Sequence, residues 1–169
     1  MGEKMRILGI DPGIAIVGWG VVDYTGNRFR MIGCGSVQTP AEMRTEDRLM
    51  EIYRRISELI EIYKPDCMSI EELFWNTNQT TGIRVSEARG VMLLCAAQRK
   101  LRIFEYTPLQ VKQAVVGYGR AEKKQIIAMV TRILGLEKPP KPDDTADALA
   151  LAICHAHSGC SRLADYYNK

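Results

Sequence analysis

Met5-Arg6-Ile7-Leu8-Gly9-Ile10-Asp11-Pro12-Gly13 sets how this chain begins to fold. Residues 5–10 are a short, nearly continuous apolar run, the pattern of a strand buried on both faces of a sheet. Pro12-Gly13 breaks it, because proline brings no amide donor to a ladder and glycine admits a turn. Asp11 is left directly after the strand. A carboxylate so close to an apolar interior needs hydrogen bonds, a counter-charge or a cation. Asp-Pro-Gly is also a common turn, so its position alone does not decide among these.

Working outward, residues 16–24 and 28–37 read as two more strands, with Thr25-Gly26-Asn27 as the turn between them. The sheet therefore opens as a three-stranded antiparallel meander. Residues 45–63 carry Leu49, Ile52, Tyr53, Ile56, Leu59, Ile60 and Tyr63 at helical spacing, and Pro65 closes that helix. Residues 67–71 are a fourth strand, and 74–82 a polar loop bearing aromatics. Residues 84–98 are a second helix, with Val85, Ala88, Met92, Cys95 and Ala96 on one face, and 102–106 a fifth strand. Helices follow over 108–116, where Thr107 and Pro108 suit an N-cap and first turn, over 121–134, and over 144–158 after a Pro-rich connector. This order predicts an α/β domain over residues 1–158, a five-stranded mixed sheet flanked by helices, with 159–169 as a frayed tail.

At 169 residues, 46% apolar and 25% charged, the chain is long enough to bury a core without staples. It has no apolar run of membrane-spanning length and no signal-like N-terminus, and the reading is cytoplasmic, with no membrane partner. The five cysteines are odd in number and form no CxxC pair, so they read as buried or free thiols. The net charge of +3 decides little, but its distribution is uneven. Between Arg84 and Lys124, nine Lys or Arg face three Glu, a local excess of +6. Such a region is either an ordinary solvated face or a seat for a polyanion beside the acidic motifs at either end.

Four acidic positions stand out by location. Asp11 follows the first strand, Glu71 ends the fourth, and Asp144 and Asp147 lie three apart at the start of the last helix, on one face. If the first and fourth strands are parallel neighbours, Asp11 and Glu71 emerge at the same edge. Separate surface carboxylates and helix caps would account for each one singly. Four converging carboxylates instead require a cation, and an all-oxygen set suits magnesium or manganese rather than zinc. A pair of such ions can serve both the attacking and the leaving oxygen of a phosphodiester displacement.

Gly9-Ile10-Asp11-Pro12-Gly13, Ile70-Glu71-Glu72 with Phe74, Glu87-Ala88-Arg89-Gly90-Val91, Val111 to Gly117, Ala121 to Lys124 and Asp144 to Ala150 occur in that order. Together they resemble the RuvC family of Holliday junction resolvases, over about residues 5–157. The resemblance implies an RNase H-like fold and an endonuclease that makes paired, symmetric nicks in four-way DNA junctions during recombination and repair. It implies that Asp11, Glu71, Asp144 and Asp147 are catalytic and hold two Mg2+ ions, for which Mn2+ could substitute. Lys112 and Lys123 match basic residues near the family's active site, and Phe74 matches an aromatic that stacks on junction bases. With Arg84, Arg89, Arg120 and Lys124 these are the candidate DNA contacts. The resemblance further implies a homodimer, with the helix of residues 84–98 as a candidate dimer surface, and partnership with the RuvA–RuvB branch-migration complex.

Other readings compete. Phe74 and Trp75 could instead anchor their loop into the core. Cys154, His155, His157 and Cys160 could suggest zinc, but three of them crowd one helix and point different ways, so a polar helix end fits better. A sugar kinase or actin-like ATPase also opens with a strand, Asp and a glycine turn, yet would need further Gly-rich phosphate loops. A noncatalytic junction-binding protein would keep the basic middle without needing the carboxylates.

Overall fold

A computed structural model of the protein describes residues 3–73 and 79–159. Five strands, β1 (Met5–Asp11), β2 (Ile16–Thr25), β3 (Arg28–Gln38), β4 (Cys67–Glu71) and β5 (Arg102–Tyr106), lie in the order β3-β2-β1-β4-β5. β1, β2 and β3 are antiparallel, and β4 and β5 run parallel to β1. Gly26 and Asn27 both adopt positive φ, 52° and 65°, giving the β2–β3 hairpin the tight two-residue turn that matches strand twist.

The helices are α1 (Thr45–Tyr63), α2 (Gln79–Gln98), α3 (Pro108–Val116), α4 (Lys123–Ile133) and α5 (Asp143–Gly159). The crossovers from β1 to β4 and from β4 to β5 advance in the same direction across the sheet. Right-handed connections then place α1 and α2 on one face. There Leu8, Ile10, Met68 and Ile70 pack against Ile52, Ile56, Met92 and Ala96. Alternate strand residues, Ile7, Val22, Cys67 and Phe104, point the other way into a second core with α3, α4 and α5.

α5 lies very close to the sheet, because the strands beneath it carry glycine. A Cβ at Gly9 would collide with the Ala148 carbonyl, and one at Gly18 with the Asp144 carbonyl. The helix crosses the sheet from β2 to β5. Thr145 donates to the Gly35 carbonyl at 3.1 Å, and Ser69 of β4 donates to the Leu151 carbonyl at 2.8 Å. At the far end His155 stacks on Phe104 with ring centroids 4.1 Å apart.

Two details depart from the sequence reading. α2 begins at Gln79, within the stretch expected to be a loop. Near its start Thr81, Ile83 and Arg84 are exposed, so no apolar stripe marks it. The end of α5 is not a polar, cationic cap. His155 is buried, bonded through Nδ1 to the Tyr106 hydroxyl at 2.7 Å, and burial pushes its pKa down to about 4. His157 turns elsewhere, with Nδ1 3.0 Å from the Ala114 carbonyl oxygen. Cys34, Cys67, Cys95 and Cys154 are free thiols, the last three buried. Among the described residues, no helix is long and apolar enough to cross a membrane.

The seating of α5 predicts the effect of adding one methyl. Gly9→Ala should cost more than about 2 kcal/mol in urea unfolding, beyond ordinary overpacking losses because the obstacle is backbone. Gly26→Ala has open space around it and meets only the strain of a Cβ in the left-handed region, about 1 kcal/mol, so it should cost less. Equal losses for the two would mean that α5 can lift without penalty.

Candidate active site

Ile10 and Ile70 are register partners in the parallel β1–β4 pair, so Asp11 and Glu71, the next residue on each strand, end side by side. Both belong to the alternation set that faces α5. Asp144, whose backbone lies against Gly18, and Asp147, one turn further along α5, complete the group. Sheet register, strand alternation and the close fit of α5 thus bring all four expected carboxylates to one corner.

Their electrostatics show that they share it. Asp11 has its pKa raised to about 8, chiefly by burial, then by the charges of Asp147, Glu71 and Asp144, with Lys123 opposing. Burial and Asp147 hold Glu71 above the usual carboxylate range, against the pull of Lys123 and Lys112. Burial also raises Asp147, partly offset by a hydrogen bond from Lys123. Among the described residues, no three Asp, Glu, His or Cys side chains already stand close enough together to hold a metal ion, so the carboxylates would have to draw in around one. Of the two lysines, Lys123 is ion-paired here, with Nζ 2.9 Å from Asp147 and 3.9 Å from the more exposed Asp143. Asp143 is an acidic neighbour that the sequence reading passed over. A set of oxygen donors crowded enough to hold a carboxyl protonated near neutral pH fits a hard divalent cation.

Beside the carboxylates opens a cavity of about 240 Å³ with Glu71, Asp147, Lys112 and Lys123 at its polar side and Pro108, Val111, Ile126 and Ala150 as its apolar wall. Lys112 comes from α3 and Lys123 from the first position of α4. α3 is fixed by the reciprocal cap between Thr107 and Gln110, with bonds of 2.8 and 3.1 Å. In α4, Gln125 accepts from the Glu122 amide at 2.7 Å.

A family model for the crossover junction endodeoxyribonuclease RuvC matches residues 7–155. The chain belongs to the RuvC family. It is 63% identical over 155 residues to the RuvC of Alkaliphilus metalliredigens, covering 92% of this chain and 94% of that one. The structure of Thermus thermophilus RuvC in complex with a Holliday junction substrate superposes with a TM-score of 0.87 at 35% identity, covering 92% of this chain and 94% of that one. A yeast mitochondrial Holliday junction resolvase shares the fold at 13% identity, with a TM-score of 0.71 over 96% of this chain and 81% of its own. The fold is therefore RNase H-like, and the activity that of a RuvC endonuclease resolving Holliday junctions.

The other residues singled out in the sequence fare differently. Phe74 lies outside the described residues. Arg120 is exposed between α3 and α4, and Lys124 is exposed with its Nζ 2.9 Å from Glu122. Arg84 projects from α2 and donates to the Thr45 hydroxyl at 2.6 Å, away from the cavity. Arg89 departs most from the expected exposed contact, since its side chain is only 13% exposed and is spent on the protein's own backbone and on Glu105. A basic residue counted along a chain carries no mark of the direction in which it points.

The crowding predicts a pH dependence. Asp11 binds its proton more tightly folded than unfolded, so its contribution to the stability of metal-free protein is complete below about pH 4 and lost as pH rises through about 8. In a chelating buffer the urea midpoint of the native protein should fall between pH 6 and pH 8.5 more steeply than that of Asp11→Asn. At pH 8.5 the variant should be the more stable by more than about 1 kcal/mol. Parallel pH profiles for the two proteins would show that Asp11 does not carry the crowding.

Proposed function

We propose that the chain cuts both like strands of a four-way junction through metal-dependent hydrolysis at this corner. The observation that carries the reading is the convergence of Asp11, Glu71, Asp144 and Asp147 on the α5 side of the sheet. In this reading Asp11, Glu71, Asp144 and Asp147 would hold two magnesium ions, with manganese able to substitute. When bound, such ions would supply an activated water and charge stabilisation for the departing 3′ oxygen. The water oxygen bonds to phosphorus in line as the P–O3′ bond breaks, leaving a 5′ phosphate and a 3′ hydroxyl.

The chain's own groups do the rest. Lys123, released from Asp147, and Lys112, across the cavity, face the charge that grows on the phosphoryl oxygens. The apolar wall of Val111, Ile126 and Ala150 gives the sugar beside the scissile phosphate a dry surface. Phe74 is assigned to stacking on unpaired junction bases, a contribution of roughly 1–3 kcal/mol per base. Arg120 and Lys124, exposed near Lys123, are assigned to the phosphates of the arms, and Arg84 to more distant ones.

Paired nicks need two such sites facing one junction, which a homodimer supplies. Gly90 and Leu94 lie on the outer face of α2 in line with Ile83; the two apolar side chains are 50% and 51% exposed, with glycine between them where a second helix could approach closely. Family membership extends the proposal to cooperation with RuvA–RuvB in the cytoplasm.

A labelled synthetic junction and a linear duplex of the same sequence provide the test. Symmetric nicks should appear in the junction alone and only with magnesium or manganese. Asp11→Asn should cut at least about a thousandfold more slowly, with junction affinity within about threefold of native. Binding without metal-dependent cutting would leave a junction-binding protein instead.

A further inference from the structure

The last carbonyl of a strand at the C-terminal edge of a sheet has run out of ladder, and an unpaired buried carbonyl is costly. At the end of β4 that carbonyl belongs to Glu71. Arg89 of α2 supplies the missing donor, with Nε 3.0 Å from the Glu71 carbonyl oxygen. The other arm of the guanidinium, Nη2, lies 2.6 Å from Glu105 Oε2 on the adjacent strand β5. Glu105 is the register partner of Ile70, so the fork spans β4 and β5 at the row just before Glu71. The next residue is fixed as well, since the Glu72 amide donates to the Tyr106 carbonyl at 2.9 Å.

α2 covers the face of the sheet opposite α5, whereas the Glu71 side chain belongs to the α5 face. Arg89 therefore reaches the backbone of Glu71 from behind. It grips the peptide plane from which the carboxylate projects. We propose that Arg89 is the positioning residue for Glu71, acting through that peptide plane to aim the carboxylate at the cation site, and not a contact to DNA. The proposal rests on the reading of Glu71 as a metal-holding carboxylate. A planar fork with two directed donors is what the role requires, and a lysine supplies only a point charge.

The test measures Mn2+ binding to metal-free protein by calorimetry, and junction binding separately in chelator. Arg89→Ala should weaken Mn2+ about ten- to a hundredfold, as for other groups that orient a metal's ligands. Its metal-free junction affinity should stay within about twofold of native with an unchanged salt dependence. Arg89→Lys, keeping the charge without the fork, should restore only part of the Mn2+ affinity. Ile56→Val, a core change on α1, controls for lost stability and should leave Mn2+ affinity unmoved. Mn2+ affinity that responds to Glu71→Gln but not to Arg89→Ala would overturn the proposal alone. A metal-free junction affinity that falls in Arg89→Ala, with a shallower salt slope, would overturn it in favour of a DNA contact. Affinity indifferent to Glu71→Gln would remove the reading of the site, and the proposal with it.

Discussion

The closeness of α5 to the sheet governs the molecule. Two strands give up side chains at Gly9 and Gly18 so that the helix backbone can rest against theirs. That contact puts the first turns of α5 beside the ends of β1 and β4, and so unites carboxylates separated by more than a hundred residues in sequence. It also sets the order of the remaining helices. α3 and α4 pack against α5, bringing Lys112 and Lys123 to the cavity's rim. An α5 held even a side chain's width further away would leave Asp11 and Glu71 without Asp144 and Asp147.

Uniting these groups is electrostatically unfavourable. Burial and mutual repulsion push Asp11, Glu71 and Asp147 toward their neutral forms, and the lysines oppose this only in part. Stability elsewhere offsets the strain. The two apolar cores lie on opposite faces of the sheet, and the meander is closed by Arg6, whose guanidinium holds the buried Asp23 carboxylate at 2.7 Å. The site thus resembles a loaded pair of jaws, with rigid elements forcing like charges together and a divalent cation as the natural relief.

Much of this was written in the sequence, for identifiable reasons. The apolar run at residues 5–10, the helical spacing from Leu49 to Tyr63 and the turn at Gly26-Asn27 are local signals, and they lead to the elements observed. Asp11 and Glu71 could be placed together once β1 and β4 were taken as parallel neighbours, because strand ends are readable from composition. What could not be read was direction. Arg84 and Arg89 look alike in the sequence, yet one projects outward and the other turns into the sheet to serve a carbonyl. His155 looked like a polar helix end, and only the arrival of Phe104 and Tyr106 from a distant strand makes it part of the core. Thr81, Ile83 and Arg84 near the start of α2 are exposed and leave no periodic trace.

Most of α5 is sealed, every residue from 148 to 156 being buried. Backbone amides in such a segment exchange with solvent only when the whole fold opens, whereas a site carried on loops can breathe by itself. Two of the four carboxylates ride on this helix and the other two on strands directly beneath it. The geometry of the acidic corner therefore lasts as long as the native state does, and any softness the enzyme needs to accommodate a branched substrate must come from segments that do not carry these four side chains.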